Sequence, residues 1–118
     1  EAGDVRRMPL EQLSESARKA GFLIVEAHPF RYDSVIMDDR LLDGVEVYNA
    51  NKNHDSHDYL AELWAEKKHL IRTTGSDFHD PHDHTAAGIM TEEPIEDNET
   101  LLRVLRSGAY ELIRPDMD

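Results

Sequence analysis

Helical and strand-like patterns alternate along the chain, and this alternation constrains the fold more than any other feature of the sequence. The predicted helices, whose apolar residues recur along one face, span 9–20, 56–68 and 98–107. The predicted strands, which are short apolar runs, span 22–25, 44–48, 69–73, 87–90 and 110–113. This order is typical of an α/β domain with a mostly parallel sheet and flanking helices.

The composition fits one domain covering residues 1–118. Hydrophobic residues make up 39% and charged residues 32% of the chain, which favours a globular over a disordered protein. The sequence has no apolar run long enough for a membrane span, no signal-peptide pattern and no cysteine. We therefore expect a cytoplasmic protein without disulfides, without a thiolate zinc site and without a membrane partner.

The chain is strongly acidic, with 13 basic and 25 acidic residues and a net charge of −12. Such a surface repels nucleic acid and anionic membranes at long range, which argues against both as partners. A local site can still be cationic if bound divalent ions reverse the sign of the charge there. An anionic substrate therefore requires metal ions or a few well-placed arginines.

Polar clusters follow each of the first three predicted strands. They cover 26–31, 49–51 and 74–84. Functional groups of parallel α/β folds lie just beyond the carboxyl ends of the strands. We therefore expect these three clusters to lie on one rim of the sheet.

Three residues of these clusters are candidate metal ligands. His28 follows a buried strand, where it can ligate a metal or hydrogen-bond a backbone carbonyl. Asp77 and His79, at positions i and i+2, project to the same side of an extended segment and can hold one or two ions. The alternative for this pair is a capped turn. Arg31 is the candidate for an anion contact, because a guanidinium can bind two phosphate oxygens, or it forms a surface ion pair.

The roles of five other residues stay open. His82 and His84 either extend the metal site or belong to a solvated loop. His54 and His57 lie near a predicted strand end and are candidates for a metal role, but helix capping and surface exposure explain them as well. Glu46 lies inside a strand, where it supports the site from a buried position or pairs with a basic residue.

The order of the motifs resembles the C-terminal half of the PHP (polymerase and histidinol phosphatase) domain. The motifs are "AHPFR" at 27–31, "DGVEVYNANKN" at 43–53, "TTGSDFH" at 73–79 and "GIMTEEPIEDNETLLRVLRSGAYELI" at 88–113. The resemblance implies part of a distorted (β/α)7 barrel and a metal-dependent phosphoesterase activity on a phosphorylated small molecule or nucleotide. It also implies divalent ions (Zn, Mn or Fe) held by His28, Asp77 and His79, with Arg31 on the phosphate.

The sequence departs from the family in lacking the N-terminal HxH metal-binding motif. The only HxH pattern, at 82–84, comes after the "GSDFH" motif. Three ligands suffice for one zinc with a water, so further ions need His82, His84 or a second chain. The uncovered sheet edges of a half-barrel also favour a homo-oligomer. The alternatives are a non-catalytic metal-binding or interaction fragment and, least favoured by the acidic charge, the PHP domain of a replicative polymerase.

Overall fold

The computed structural model describes residues 8–83 and 86–114. The helices are α1 (Leu10–Ala20), α2 (Asp58–Lys68) and α3 (Asn98–Ser107), with one 3₁₀ turn at Asp39–Leu41. The strands are β1 (Val25–Glu26), β2 (Gly44–Asn49), β3 (Ile71–Gly75), β4 (Gly88–Met90) and β5 (Glu111–Ile113). None of the helices in these two ranges is long and apolar enough to cross a membrane.

The strands form a parallel sheet and a separate antiparallel pair. The parallel sheet has the order β1-β2-β3, with β2 in the centre, and β4 pairs with β5 in antiparallel fashion. The predicted α/β class and the parallel sheet are therefore confirmed. No barrel closes within residues 8–83 and 86–114.

The core lies between β2 and α2. Val45 and Val47 of β2 are fully buried, and the small residues Ala61 and Ala65 let α2 approach the sheet closely. Larger side chains flank this contact, including a Phe30–Trp64 edge-to-face pair with ring centroids 5.8 Å apart. Leu63 of α2 lies outside this contact, since it is 60% exposed.

Two predicted strands have different bounds because the preceding helices end in left-handed residues. Gly21 ends α1 with a φ of 82°, and the Phe22 N–H donates to the Ala17 carbonyl oxygen instead of a strand. The first strand therefore begins only at Val25, and Phe22 is exposed. His69, with a φ of 55°, ends α2 in the same way, so β3 runs from 71 to 75 rather than from 69 to 73.

Candidate functional site at the carboxyl ends of the strands

The polar segments that follow β1, β2 and β3 contact one another at the carboxyl ends of these strands. The Arg31 guanidinium lies 3.0 Å from Asp77 Oδ2. Asn49 Nδ2 donates to the same oxygen at 3.3 Å, and Asn51 Nδ2 donates to the Asp77 carbonyl oxygen at 3.2 Å. Asp77 is therefore the point at which all three segments meet.

Asp77 occupies a strained backbone conformation and carries a stabilised negative charge. Its φ of 51° is in the left-handed region, which residues other than glycine rarely adopt. Such residues are often found at functional sites. Partial burial alone would raise the pKa of the Asp77 carboxyl. The hydrogen bonds from Arg31 and Asn49 outweigh this effect and hold its pKa below the usual value. Asp77 is therefore ionised at neutral pH.

Arg31 forms a buried ion pair rather than the surface ion pair that was the alternative. Its side chain is only 7% exposed. Nη2 donates to Ser56 Oγ at 3.0 Å as well as to Asp77, and Nε lies 3.3 Å from the same hydroxyl oxygen. Nη1 donates no hydrogen bond to any described residue, so its two N–H groups remain available to a ligand.

A β-bulge brings Glu46 and Asn49 onto the same side of β2. In a regular strand, residues three apart point to opposite faces. The register between β2 and β3 shifts between Glu46 and Tyr48, which inserts one extra residue into β2. As a result, Asn49 Nδ2 donates to Glu46 Oε1 at 2.8 Å, and the two side chains reach the same rim.

The Glu46 carboxylate holds the backbone at the carboxyl ends of the strands by hydrogen bonding. Its Oε1 accepts a hydrogen bond from the His28 backbone N–H at 3.0 Å, and its Oε2 faces Gly75. A Cβ at position 75 would lie 2.4 Å from Oε2, so the absent side chain of Gly75 provides the space for this carboxylate. Burial raises the pKa of Glu46, opposed by the hydrogen bonds from Asn49 and His28, while the Asp77 charge adds to the rise. Glu46 is therefore a supporting carboxylate, which was one of its two predicted roles.

His28 and His79 both make their side-chain contacts through Nδ1, which leaves Nε2 of each ring outside the described hydrogen bonds. His28 Nδ1 lies 2.9 Å from Ser34 Oγ, and His79 Nδ1 lies 2.9 Å from the Asp77 carbonyl oxygen. A carbonyl oxygen only accepts, so Nδ1 of His79 is the donor in this contact. This second contact is the arrangement that orients metal-ligating histidines in proteins.

The candidate ligands are brought together only in part. His79 Nδ1 lies 3.3 Å from Asp77 Oδ1, whereas no described hydrogen bond or ion pair joins His28 to either residue. Within residues 8–83 and 86–114, no three His, Asp or Glu side chains are grouped closely enough to hold a metal ion. Carboxylate and imidazole groups are ligands that divalent ions accept, but the described residues supply no complete set of them.

The other histidines whose roles were open differ in their surroundings. His57 precedes α2 with a φ of 49°, and its Nδ1 lies 3.1 Å from the Phe30 carbonyl oxygen. His54 and His82 are exposed, and His84 lies outside the described residues. The residue before α2 is His57, and the preceding Ser56 hydroxyl binds Arg31.

Comparison with family models, curated proteins and solved structures finds no match for this chain. The sequence analysis placed Asn51 in a rim cluster but missed Ser34 and Ser56 as parts of the site. The position of Ser56 shortly after β2 was the signal that could have identified it.

Proposed function

We propose that this chain carries part of the active site of a PHP-type metal-dependent phosphoesterase. The observation that supports this most strongly is the buried Arg31 guanidinium held against the ionised Asp77 where three strand ends meet. A desolvated cation and a carboxylate at one rim provide the opposite charges that a phosphate ester and a divalent ion require. The overall fold we propose for the complete domain is the distorted (β/α)7 barrel.

In this proposal, Asp77, His79 and His28 hold a divalent ion, which is Zn, Mn or Fe. Asp77 contributes a carboxylate oxygen, and the two histidines contribute Nε2. When bound, such an ion neutralises charge on phosphoryl oxygens and acidifies water. Further ligands come from outside the described residues, from His84, another segment or a second copy of the chain.

Arg31 binds the phosphate group in this proposal. Ser56 and Asp77 fix the guanidinium in one orientation, so little side-chain entropy is lost when Nη1 donates to a phosphoryl oxygen. Burial keeps competing water away and strengthens the interaction. Glu46 acts as a positioning residue, because it holds the backbone of His28.

The substrate class is a phosphorylated small molecule or a nucleotide. The net charge of −12 disfavours the long-range approach of a polyanion such as nucleic acid. A single phosphate group carries far less charge than a polyanion, so it is repelled less, and Arg31 and the ion attract it locally. We propose a homo-oligomer, in which a second chain supplies the missing metal ligands and covers the exposed sheet edge.

A second candidate function is a non-catalytic metal-binding or interaction fragment. The specific observation that favours it is the ion pair itself, since Arg31 already compensates the charge of Asp77 without a metal. The two functions differ in turnover, because a fragment of this kind hydrolyses no phosphate ester even when a metal raises its melting temperature.

The test is hydrolysis of p-nitrophenyl phosphate with Mn²⁺ or Zn²⁺ by the wild-type chain, the Asp77→Asn variant and the Asp33→Asn control. Asp33 is exposed and has the same chemistry, but it makes no hydrogen bond or ion pair with the described residues. We expect metal-dependent turnover that falls roughly 100-fold or more in Asp77→Asn, since even changes beyond the ligands cost 10- to 100-fold. Equal turnover in the two variants contradicts the proposal. Absence of turnover in the wild type favours the second candidate.

A further inference from the structure

A separate cavity of about 570 Å³ lies at the opposite end of β3 from Asp77. It is lined by the start of β3, the last turn of α3 and β5. Three arginines line it, namely Arg72, Arg106 and Arg114. Its volume is within the range of small-molecule sites in proteins.

The residues that line this cavity carry a charge opposite in sign to that of the whole chain. Three arginines and one carboxylate, Glu111, line it. Outside the lining, Glu62 pairs with Arg72 and Arg114, and Glu66 acts on Arg72. The lining is therefore net positive in a chain with a net charge of −12. Field lines concentrate in a concave site with low-dielectric walls, so this local excess acts on small ions more strongly than the same charges on a flat surface.

Glu62 fixes two of the arginines in place. Its carboxylate accepts hydrogen bonds from Arg72 Nε at 2.6 Å and Nη2 at 2.5 Å, and from Arg114 Nη1 at 2.7 Å. A guanidinium has five N–H donors, so both arginines retain donors after these bonds. The Tyr110 hydroxyl donates to the Arg72 carbonyl oxygen at 2.8 Å and ties β5 to the start of β3. The donors are thus held in position before any ligand arrives.

We propose that this cavity binds a small dianionic oxyanion of the phosphate class, either inorganic phosphate or the phosphate group of a monoester. Guanidinium groups in fixed orientation match the oxygens of such an anion with two donors each, which an ammonium cannot do. Arg106 supplies the third cation, and it has no ion-pair partner among the described residues. The inference is independent of the proposed phosphoesterase site, because it uses none of the residues that contact Asp77.

The test is a titration of the ¹⁵N-labelled chain with inorganic phosphate at constant ionic strength, followed by amide chemical shifts. The amides of Gly108 and Tyr110 report on this cavity, and those of Ala50 and Gly75 report on the strand-end site. This readout separates binding in the cavity from binding at Arg31. We expect saturable shifts at the cavity amides with a Kd on the order of 1 mM.

Two variants on the same helix provide a matched comparison. Arg106→Gln removes a lining cation, whereas Arg103→Gln removes an exposed cation that pairs with Glu93 outside the cavity. We expect the affinity for phosphate to fall about tenfold in Arg106→Gln and to stay nearly unchanged in Arg103→Gln. Circular dichroism of both variants checks that the fold is retained. Equal affinities in the two variants, shifts confined to Ala50 and Gly75, or no saturable shift at all would each overturn the inference.

Discussion

Replacing Gly75 with alanine tests the arrangement that supports the strand-end site. The new Cβ would lie 2.4 Å from Glu46 Oε2, closer than two such atoms can approach. The backbone of Gly75 does not require glycine, since its φ is not in the positive range. The substitution therefore crowds the Glu46 carboxylate without straining the backbone of β3.

Two opposing terms set the magnitude of the effect. Gly→Ala at a compatible backbone position stabilises by about 0.4–1 kcal/mol, because it restricts the unfolded chain. Overpacking a filled site costs typically about 1–3 kcal/mol. Glu46 cannot move freely, since its Oε1 accepts from Asn49 at 2.8 Å and from the His28 backbone at 3.0 Å. We therefore expect Gly75→Ala to lower the free energy of unfolding by about 1–2 kcal/mol.

The assay is urea unfolding, followed by circular dichroism and by the fluorescence of Trp64, the only tryptophan. A double-mutant cycle isolates the contact, because Glu46→Ala removes the oxygen with which the new methyl group collides. In the Glu46→Ala background, Gly75→Ala should be neutral or stabilising. A Gly75→Ala cost that is the same in both backgrounds would refute the proposed contact between the Glu46 carboxylate and position 75.

Three further predictions concern the scaffold. Asp97→Ala should lower the free energy of unfolding by about 1 kcal/mol, because Asp97 caps α3, and Asp97→Asn should recover most of this loss in urea unfolding. Burial alone would raise the pKa of Glu62, but the hydrogen bonds from Arg72 and Arg114 outweigh it and keep the pKa lowered. The stability that Glu62 contributes is therefore fully present above its unfolded pKa of about 4.3, and it is lost as the pH falls through the lowered folded pKa. In unfolding curves measured at several pH values, Glu62→Gln should therefore lose less stability at low pH than the wild type does. Gly44→Ala should destabilise more than Gly75→Ala in the same urea assay, roughly 3 kcal/mol, because its Cβ would lie 2.6 Å from a backbone carbonyl oxygen of β3 that cannot rotate away.

The sequence predicts well those elements whose signals are local. The bounds of α3 follow from the Asp97 cap, the apolar spacing and the terminal Gly108, and the structure has the same bounds. The positions of the polar clusters follow from the rule for parallel strands, and the contacts at Asp77 agree with it. Both results depend on residues that are close together in the chain or on a general property of the fold.

The features that could not be predicted depend on register and on long-range contacts. Arg31 and Asp77 are 46 positions apart, and nothing in either local motif indicates that they pair or that Arg31 is buried. The contact between Glu46 and Asn49 requires a β-bulge, which strand alternation does not predict. The late start of β1 reflects the competition between helix capping and strand pairing, in which the backbone N–H of Phe22 is used by the helix.

The most direct test of the proposed metal site is the number of divalent ions bound per chain, measured by mass spectrometry of the metals together with the molar mass in solution. The protein is purified without chelator and without a metal-affinity tag. We expect at least one ion per chain in the wild type and in Asp33→Asn, and loss of this ion in Asp77→Asn, because Asp77 is the carboxylate at which the three strand ends meet. A wild-type chain that retains no divalent ion, or an Asp77→Asn variant that retains as many ions as the wild type, would contradict the proposed site.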